Sequence, residues 1–162
     1  MVKIPPTPAL RLALYEPDIP QNTAAVLRTC ACLGIAAEII EPCGFVLGGQ
    51  HMRRAGMDYL EHVTLTRHLD WAAFVDCYAA SRRILLTTKA AEPYTSHAFK
   101  AGDIVILGRE SAGVPDHVHA AADVRITVPM VPGMRSLNMA AAAAMVSAEA
   151  LRQLDAFPKA EA

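Results

Sequence analysis

Apolar positions in this chain fall into short unbroken runs that alternate with longer stretches of helical period, the pattern of an α/β fold with a mostly parallel sheet flanked by helices. Leu10 to Tyr15 reads as a first strand, and Gln21 to Leu33 as a helix that Gly34 ends in the left-handed conformation. Glu38 to Ile40 and Val63 to Leu65 read as strands, and Trp71 to Ala80 as a helix with Asp70 as its N-cap. Arg83 to Thr87 and Ile104 to Leu107 are the clearest strands, because leucine and β-branched residues run continuously, as in strands covered on both faces. Pro115 to Ala121 follows as a short helix, Val124 to Thr127 as a last strand and Ser136 to Leu154 as a long last helix.

Between the last strand and last helix lies Val128-Pro-Met-Val-Pro-Gly-Met-Arg-Ser-Leu-Asn138. Pro129 and Pro132 fix φ and lack N–H donors, so this loop is stiff and does not extend the sheet. Ser136 or Asn138 caps the helix that follows, and the alanines from Ala140 to Ala144 let another backbone approach it closely.

Composition narrows the class. The 162 residues read as one domain, 1–162, with tails at 1–9 and 156–162. Fifteen Lys and Arg against sixteen Asp and Glu leave a net charge of −1, so a nucleic-acid partner has to be held by local basic patches. The basic groups at His51 to Arg54, Arg67-His68, Arg82-Arg83 and Lys89 are candidates, though solvated surface explains each singly. Cys30, Cys32, Cys43 and Cys77 form no C-x-x-C pair, which argues against a metal site and suits a reducing compartment. With a proline-rich start and no long apolar stretch, the expectation is a soluble cytoplasmic protein without a membrane span.

Three segments could carry chemistry. In Pro20-Gln-Asn-Thr-Ala-Ala-Val-Leu-Arg28, Asn22 or Thr23 can cap a helix whose exposed N–H groups suit an anion, and Arg28 follows the small Ala24 and Ala25 on one face. An ordinary amphipathic helix with a solvated arginine accounts for the same residues. In Leu107-Gly-Arg-Glu-Ser-Ala-Gly-Val-Pro115, Gly108 lies at the carboxyl end of a strand, where ligands of open α/β sheets bind, and Glu110 stands two residues on. Gly113 is followed by Val114-Pro115 rather than Lys and Ser or Thr, and no G-x-G-x-x-G occurs, which excludes a P-loop and an NAD fingerprint. The third segment is the proline loop with Arg135, Ser136 and Asn138.

In order and spacing these segments resemble the three motifs of the SPOUT RNA methyltransferases. Glu16-Pro-Asp-Ile-Pro-Gln-Asn22, Glu41-Pro-Cys-Gly-Phe45, Arg53-Arg-Ala-Gly-Met-Asp-Tyr59 and Leu86-Thr-Thr-Lys89 are similar to the small single-domain tRNA 2′-O-methyltransferases that modify the wobble nucleotide of leucine tRNAs. The resemblance runs from about Leu12 to Leu154. It implies a C-terminal trefoil knot, a homodimer whose sites are completed by the partner, and S-adenosyl-L-methionine held by Leu86, Thr87, Gly108, Val128, Met130, Ser136 and Leu137, without a metal. It further implies functional roles for Arg28, Asn22, Glu110, Ser136 and Asn138. Ala24, Ala140 and Ala148 depart from it, standing where glycine, serine and tyrosine are usual.

Such enzymes align a ribose hydroxyl with a sulfonium methyl and ease the loss of the hydroxyl proton. The family assigns the proton to the arginine at Arg28. A guanidinium stays protonated to about pH 12, so Arg28 is better suited to hold phosphate and the developing oxyanion while the proton leaves to water or a phosphate oxygen.

Overall fold

The computed structural model describes residues 7–54 and 57–159. Six strands, β1 (Leu10–Tyr15), β2 (Ala36–Ile40), β3 (Leu65–His68), β4 (Arg83–Leu86), β5 (Asp103–Leu107) and β6 (Val124–Ile126), form one sheet in the order β3-β2-β1-β5-β4-β6. Every pairing is parallel, with Leu12 opposite Ala37 on one side and Val105 on the other. This is the α/β arrangement the hydrophobic pattern predicts.

Strand alternation sorts the core into two layers. On one face Leu12, Leu14, Ile39, Ile84 and Val105 pack with α1 (Pro20–Leu33) and α5 (Met139–Gln153) through Val26, Leu27, Ala143, Val146 and Ala150. On the other, Ala13, Ile40, Leu85, Ile104 and Ile106 meet Phe74 of α3 (Trp71–Cys77) and Val118 of α4 (Asp116–Ala121). Both faces of β5 are therefore buried, which is why it reads as a continuous apolar run.

Several expected boundaries move. The last helix starts at Met139 rather than Ser136, because Asn138 is the residue that caps it, accepting from the N–H groups of Ala140 and Ala141. Neither Asn22 nor Thr23 caps α1; Ile19 occupies the N-cap and Pro20 opens the helix, needing no donor there. The third strand is Leu65–His68, not Val63–Leu65, since its register pairs Ala37 to Ile40 with Leu65 to His68. Helix α3 stops at Cys77, short of Ala80. A short helix α2 (Gln50–Arg54) and a 3₁₀ segment (Met57–His62) occupy a stretch with no predicted element. Ala55 and Gly56 of the Arg53 to Tyr59 motif, and residues 1–6 and 160–162 of the expected tails, lie outside the described residues. Within the tails, the Ala9 carbonyl accepts from Gly102 and the Ala156 N–H donates to Leu151.

The basic groups divide: Arg54, Arg67 and Lys89 are exposed, as solvated surface predicts, whereas His68 and Arg82 are drawn into ion pairs with buried carboxylates. His68 is buried and bonds Glu38 Oε2 at 2.8 Å, in a cluster where Arg11 (2.6 Å) and the Tyr78 hydroxyl (2.8 Å) donate to Oε1. Burial pushes the Tyr78 phenol up, reinforced by its bond to Glu38. Arg82 grips the buried Asp103 with two bonds of 2.8 and 2.6 Å, Arg67 pairs with Glu41, and Arg83 bonds the Ala121 carbonyl. His97 Nδ1 lies 3.2 Å from Glu92 Oε1. Among the described residues, no helix is long and apolar enough to cross a membrane.

Candidate active site

The strand order switches sides between the parallel neighbours β1 and β5: it runs outward through β2 and β3 on one side and through β4 and β6 on the other. Ligands of open α/β sheets bind beyond the carboxyl ends of the strands at such a point. A cavity of about 410 Å³ opens there, within the range of small-molecule sites. Its wall comes from the ends of β4 (Leu85 to Thr88) and β5 (Leu107 to Glu110), the stretch after β6 (Thr127, Val128, Met130), the loop Arg135 to Asn138, and Asn22 at the start of α1.

Gly108 makes the β5 exit possible. A Cβ there would lie 2.7 Å from the Gly113 carbonyl carbon, because the loop folds back and Arg109 and Gly113 exchange N–H···O bonds of 3.0 and 2.8 Å. Gly113 closes that turn at φ 66°, a left-handed conformation open to glycine. The Arg109 guanidinium is drawn out of the loop to Glu16 Oε2 at 2.7 Å.

Polar side chains from all three segments then join. Asn22 donates through Nδ2 to Glu110 Oε1 at 3.3 Å, and its Oδ1 accepts from Asn138 Nδ2 at 2.9 Å. Asn138 Oδ1 accepts from Ala140 and Ala141 at 2.9 and 3.2 Å, tying the chain to the α5 N-terminus. Glu110 also accepts the Asp18 N–H at 3.1 Å. Burial, and then the bond with Asp18, raise the Glu110 carboxyl above its ordinary range, while the bond with Glu110 lowers Asp18.

The structure thus brings Asn22, Leu86, Thr87, Gly108, Glu110, Val128, Met130, Ser136, Leu137 and Asn138 to one cavity. Ser136 lies in the loop instead of capping the helix. Arg28 is not among the lining residues: it is exposed on α1, its guanidinium 4.6 Å above the Tyr59 ring. Asp18 was missed from the sequence; its only signal there is an acid four residues before Asn22. Among the described residues no group of three His, Cys, Asp or Glu is placed to hold a metal ion.

Comparison with known proteins adds three results. The sequence profile of the SpoU rRNA Methylase family matches residues 9–148. A tRNA (cytidine(34)-2'-O)-methyltransferase of Beijerinckia indica is 57% identical over 150 residues, covering 91% of this chain and 94% of the relative, and one of Ancylobacter novellus is 49% identical, covering 93% and 96%. A solved structure described as giving insights into the 2-OH methylation of C/U34 on tRNA superposes with a TM-score of 0.85 at 38% identity, covering 90% of this chain and 91% of that one.

Proposed function

The chain belongs to the SpoU rRNA Methylase family, and from that premise we propose that it transfers a methyl group from S-adenosyl-L-methionine to the ribose 2′-hydroxyl of the wobble nucleotide of tRNA, cytidine or uridine 34, with leucine tRNAs as substrates. The observation that carries this reading is the convergence of the three motif segments on one cavity, where Asn22, Glu110 and Asn138 are hydrogen-bonded in series. In the same reading the stretch from β4 to α5 follows the knotted path of the SPOUT enzymes, and the protein works in the cytoplasm.

The cavity's chemistry fits the donor. Leu86, Leu107, Val128, Leu137 and Met139 offer apolar walls for a purine ring, and Gly108, by letting the Arg109–Gly113 turn fold back against it, shapes the cavity's edge. Leu86, Thr87, Gly108, Val128, Met130, Ser136 and Leu137 are the residues we assign to holding it. When bound, S-adenosylmethionine supplies an electrophilic methyl carbon on a sulfonium. Glu110 and Asn138 fix the Asn22 amide, so the polar edge of the cavity is set before substrate arrives. Ser136, in the loop beside them, is assigned to the same polar edge.

Arg28 lies outside its own chain's cavity, which supports a homodimer in which each site is completed by the partner's arginine. The exposed apolar side chains of Val131 (72%), Met134 (64%) and Leu137 (42%) on the site loop suit such an interface. There Arg28 would bind phosphate and the developing oxyanion, the proton leaving to water or a phosphate oxygen.

The test is to incubate separate tRNA and ribosomal RNA pools with the protein and S-adenosylmethionine and analyse the nucleosides by mass spectrometry. The expected products are 2′-O-methylcytidine and 2′-O-methyluridine. Methylation of ribosomal RNA alone would reassign the substrate, and calorimetric donor binding without any methylated nucleoside would make the protein an RNA-binding dimer without turnover.

A further inference from the structure

Two loops of the site are fastened to each other by carboxyl groups placed reciprocally. The Asp18 N–H donates to Glu110 Oε2 at 3.1 Å, and the Glu110 N–H donates to Asp18 Oδ1 at 3.2 Å, across 92 residues of chain. The Ser111 hydroxyl donates to Asp18 Oδ2. The exit loop of β2 closes the third side: a Cβ on Gly44 would lie 2.9 Å from Asp18 Cβ, and the Gly44 N–H donates to the Pro17 carbonyl at 2.9 Å. Asp18 therefore has little room to swing away from Glu110.

Two facing carboxylates repel when both are ionised, and a half-buried pair relieves this by keeping one proton. We propose that Asp18 is a positioning residue of the methyl-transfer site, sharing a single proton with Glu110 so that Glu110 stays in reach of Asn22 and, through it, of Asn138. The inference rests on the methyltransferase reading for its function, though the proton sharing itself does not. The opposite displacements of the two groups agree with it: burial, and then the bond with Asp18, raise Glu110, while the bond with Glu110 lowers Asp18.

Two cations of the surrounding loops are engaged elsewhere. Arg109 is bound to Glu16 at 2.7 Å, and Arg67 to Glu41 at 2.6 Å. Burial pushes the Cys43 thiol up to about 11 and raises the Tyr15 phenol, so both are neutral where the carboxyls titrate. Arg135 lines the same cavity.

The sign follows for each group. Glu110 is raised, so its contribution to the clamp is present below the ordinary carboxylate range and is lost as pH rises through the raised value. Asp18 is lowered, so its contribution is present above the ordinary value and is lost as pH falls through the lowered one. Between them the clamp is closed.

The experiment follows the Asp18 and Glu110 amide resonances by NMR in the ligand-free protein as pH is raised, for the native chain and for Asp18→Asn and Asp18→Ala. Native protein should show both amides moving together at one midpoint above the ordinary carboxylate value of about 4. Asp18→Asn replaces the shared proton with a fixed amide donor, so the Glu110 midpoint should fall back toward that ordinary value. Calorimetry with S-adenosylhomocysteine over the same range gives the functional readout. Native affinity should weaken as pH rises through the midpoint, Asp18→Asn should lose that dependence, and Asp18→Ala should bind about tenfold more weakly at every pH. Independent titration of both carboxyls at ordinary values, or an unmoved Glu110 midpoint in Asp18→Asn, would overturn the proposal. Coupled titration in a protein that binds no S-adenosylhomocysteine would instead refute the donor-site reading while the shared proton stood.

Discussion

Asn138 donates to Asn22 at 2.9 Å across 116 residues of chain, while its own Oδ1 caps the helix that begins at Met139. One side chain thus sets the start of α5 and the orientation of the amide that reaches Glu110.

This linkage predicts energetic coupling. Asn138→Ala should cost about 1 kcal/mol of stability through the lost cap, and Asn22→Ala a similar amount through two lost hydrogen bonds. In a double-mutant cycle read by chemical denaturation, the coupling should be about 0.5 kcal/mol or more. Additive effects would mean that the Asn22–Asn138 bond contributes nothing.

Gly108→Ala should damage the site locally. The new Cβ would stand 2.7 Å from the Gly113 carbonyl carbon, which is backbone and cannot rotate away, so the β5 exit loop must shift. The expected strain is about 1–3 kcal/mol, seen as a lowered Tm together with weakened S-adenosylhomocysteine binding by calorimetry. Native affinity would contradict the placement of the donor against Gly108.

Arg28 stacks on Tyr59 outside the cavity, so its removal should separate RNA chemistry from donor binding. Arg28→Lys should lower turnover by roughly 10²-fold, as loss of an oxyanion donor does, with donor affinity unchanged. Tyr59→Ala, which frees the guanidinium, should have a smaller effect in the same direction, worth about 0.5–1 kcal/mol. Near-full turnover by Arg28→Lys with normal RNA affinity would contradict the forked-donor role.

On the opposite face of the sheet, Glu38 is fully buried and accepts from Arg11, His68 and Tyr78. Glu38→Ala leaves those donors without their acceptor and should destabilise the protein by about 3–5 kcal/mol in denaturant unfolding. A cost under about 1 kcal/mol would show that water replaces the carboxylate.

The strands and the cavity-forming loops were legible because their signals are local. Buried parallel strands such as Ile104 to Leu107 are continuous apolar runs, and the glycine and proline positions after them mark loops. The edge strand Leu65–His68 was misplaced because Thr66, Arg67 and His68 look like loop residues until Glu38 supplies a partner for His68 from the neighbouring strand. Helix α2 carries the polar run Gln50, His51, Arg53 and Arg54, with no apolar period to announce it. Asp18 and the position of Arg28 depend on contacts across tens of residues, which spacing along one chain does not encode.

The account's central claim is tested most directly by locating the methyl group. Leucine tRNA incubated with the protein and S-adenosylmethionine, then digested into oligonucleotides and sequenced by mass spectrometry, should carry one added methyl on the ribose of nucleotide 34, the position named for the Beijerinckia indica and Ancylobacter novellus relatives. An unmodified nucleotide 34 under conditions where the donor binds, or a methyl on another nucleotide, would contradict it.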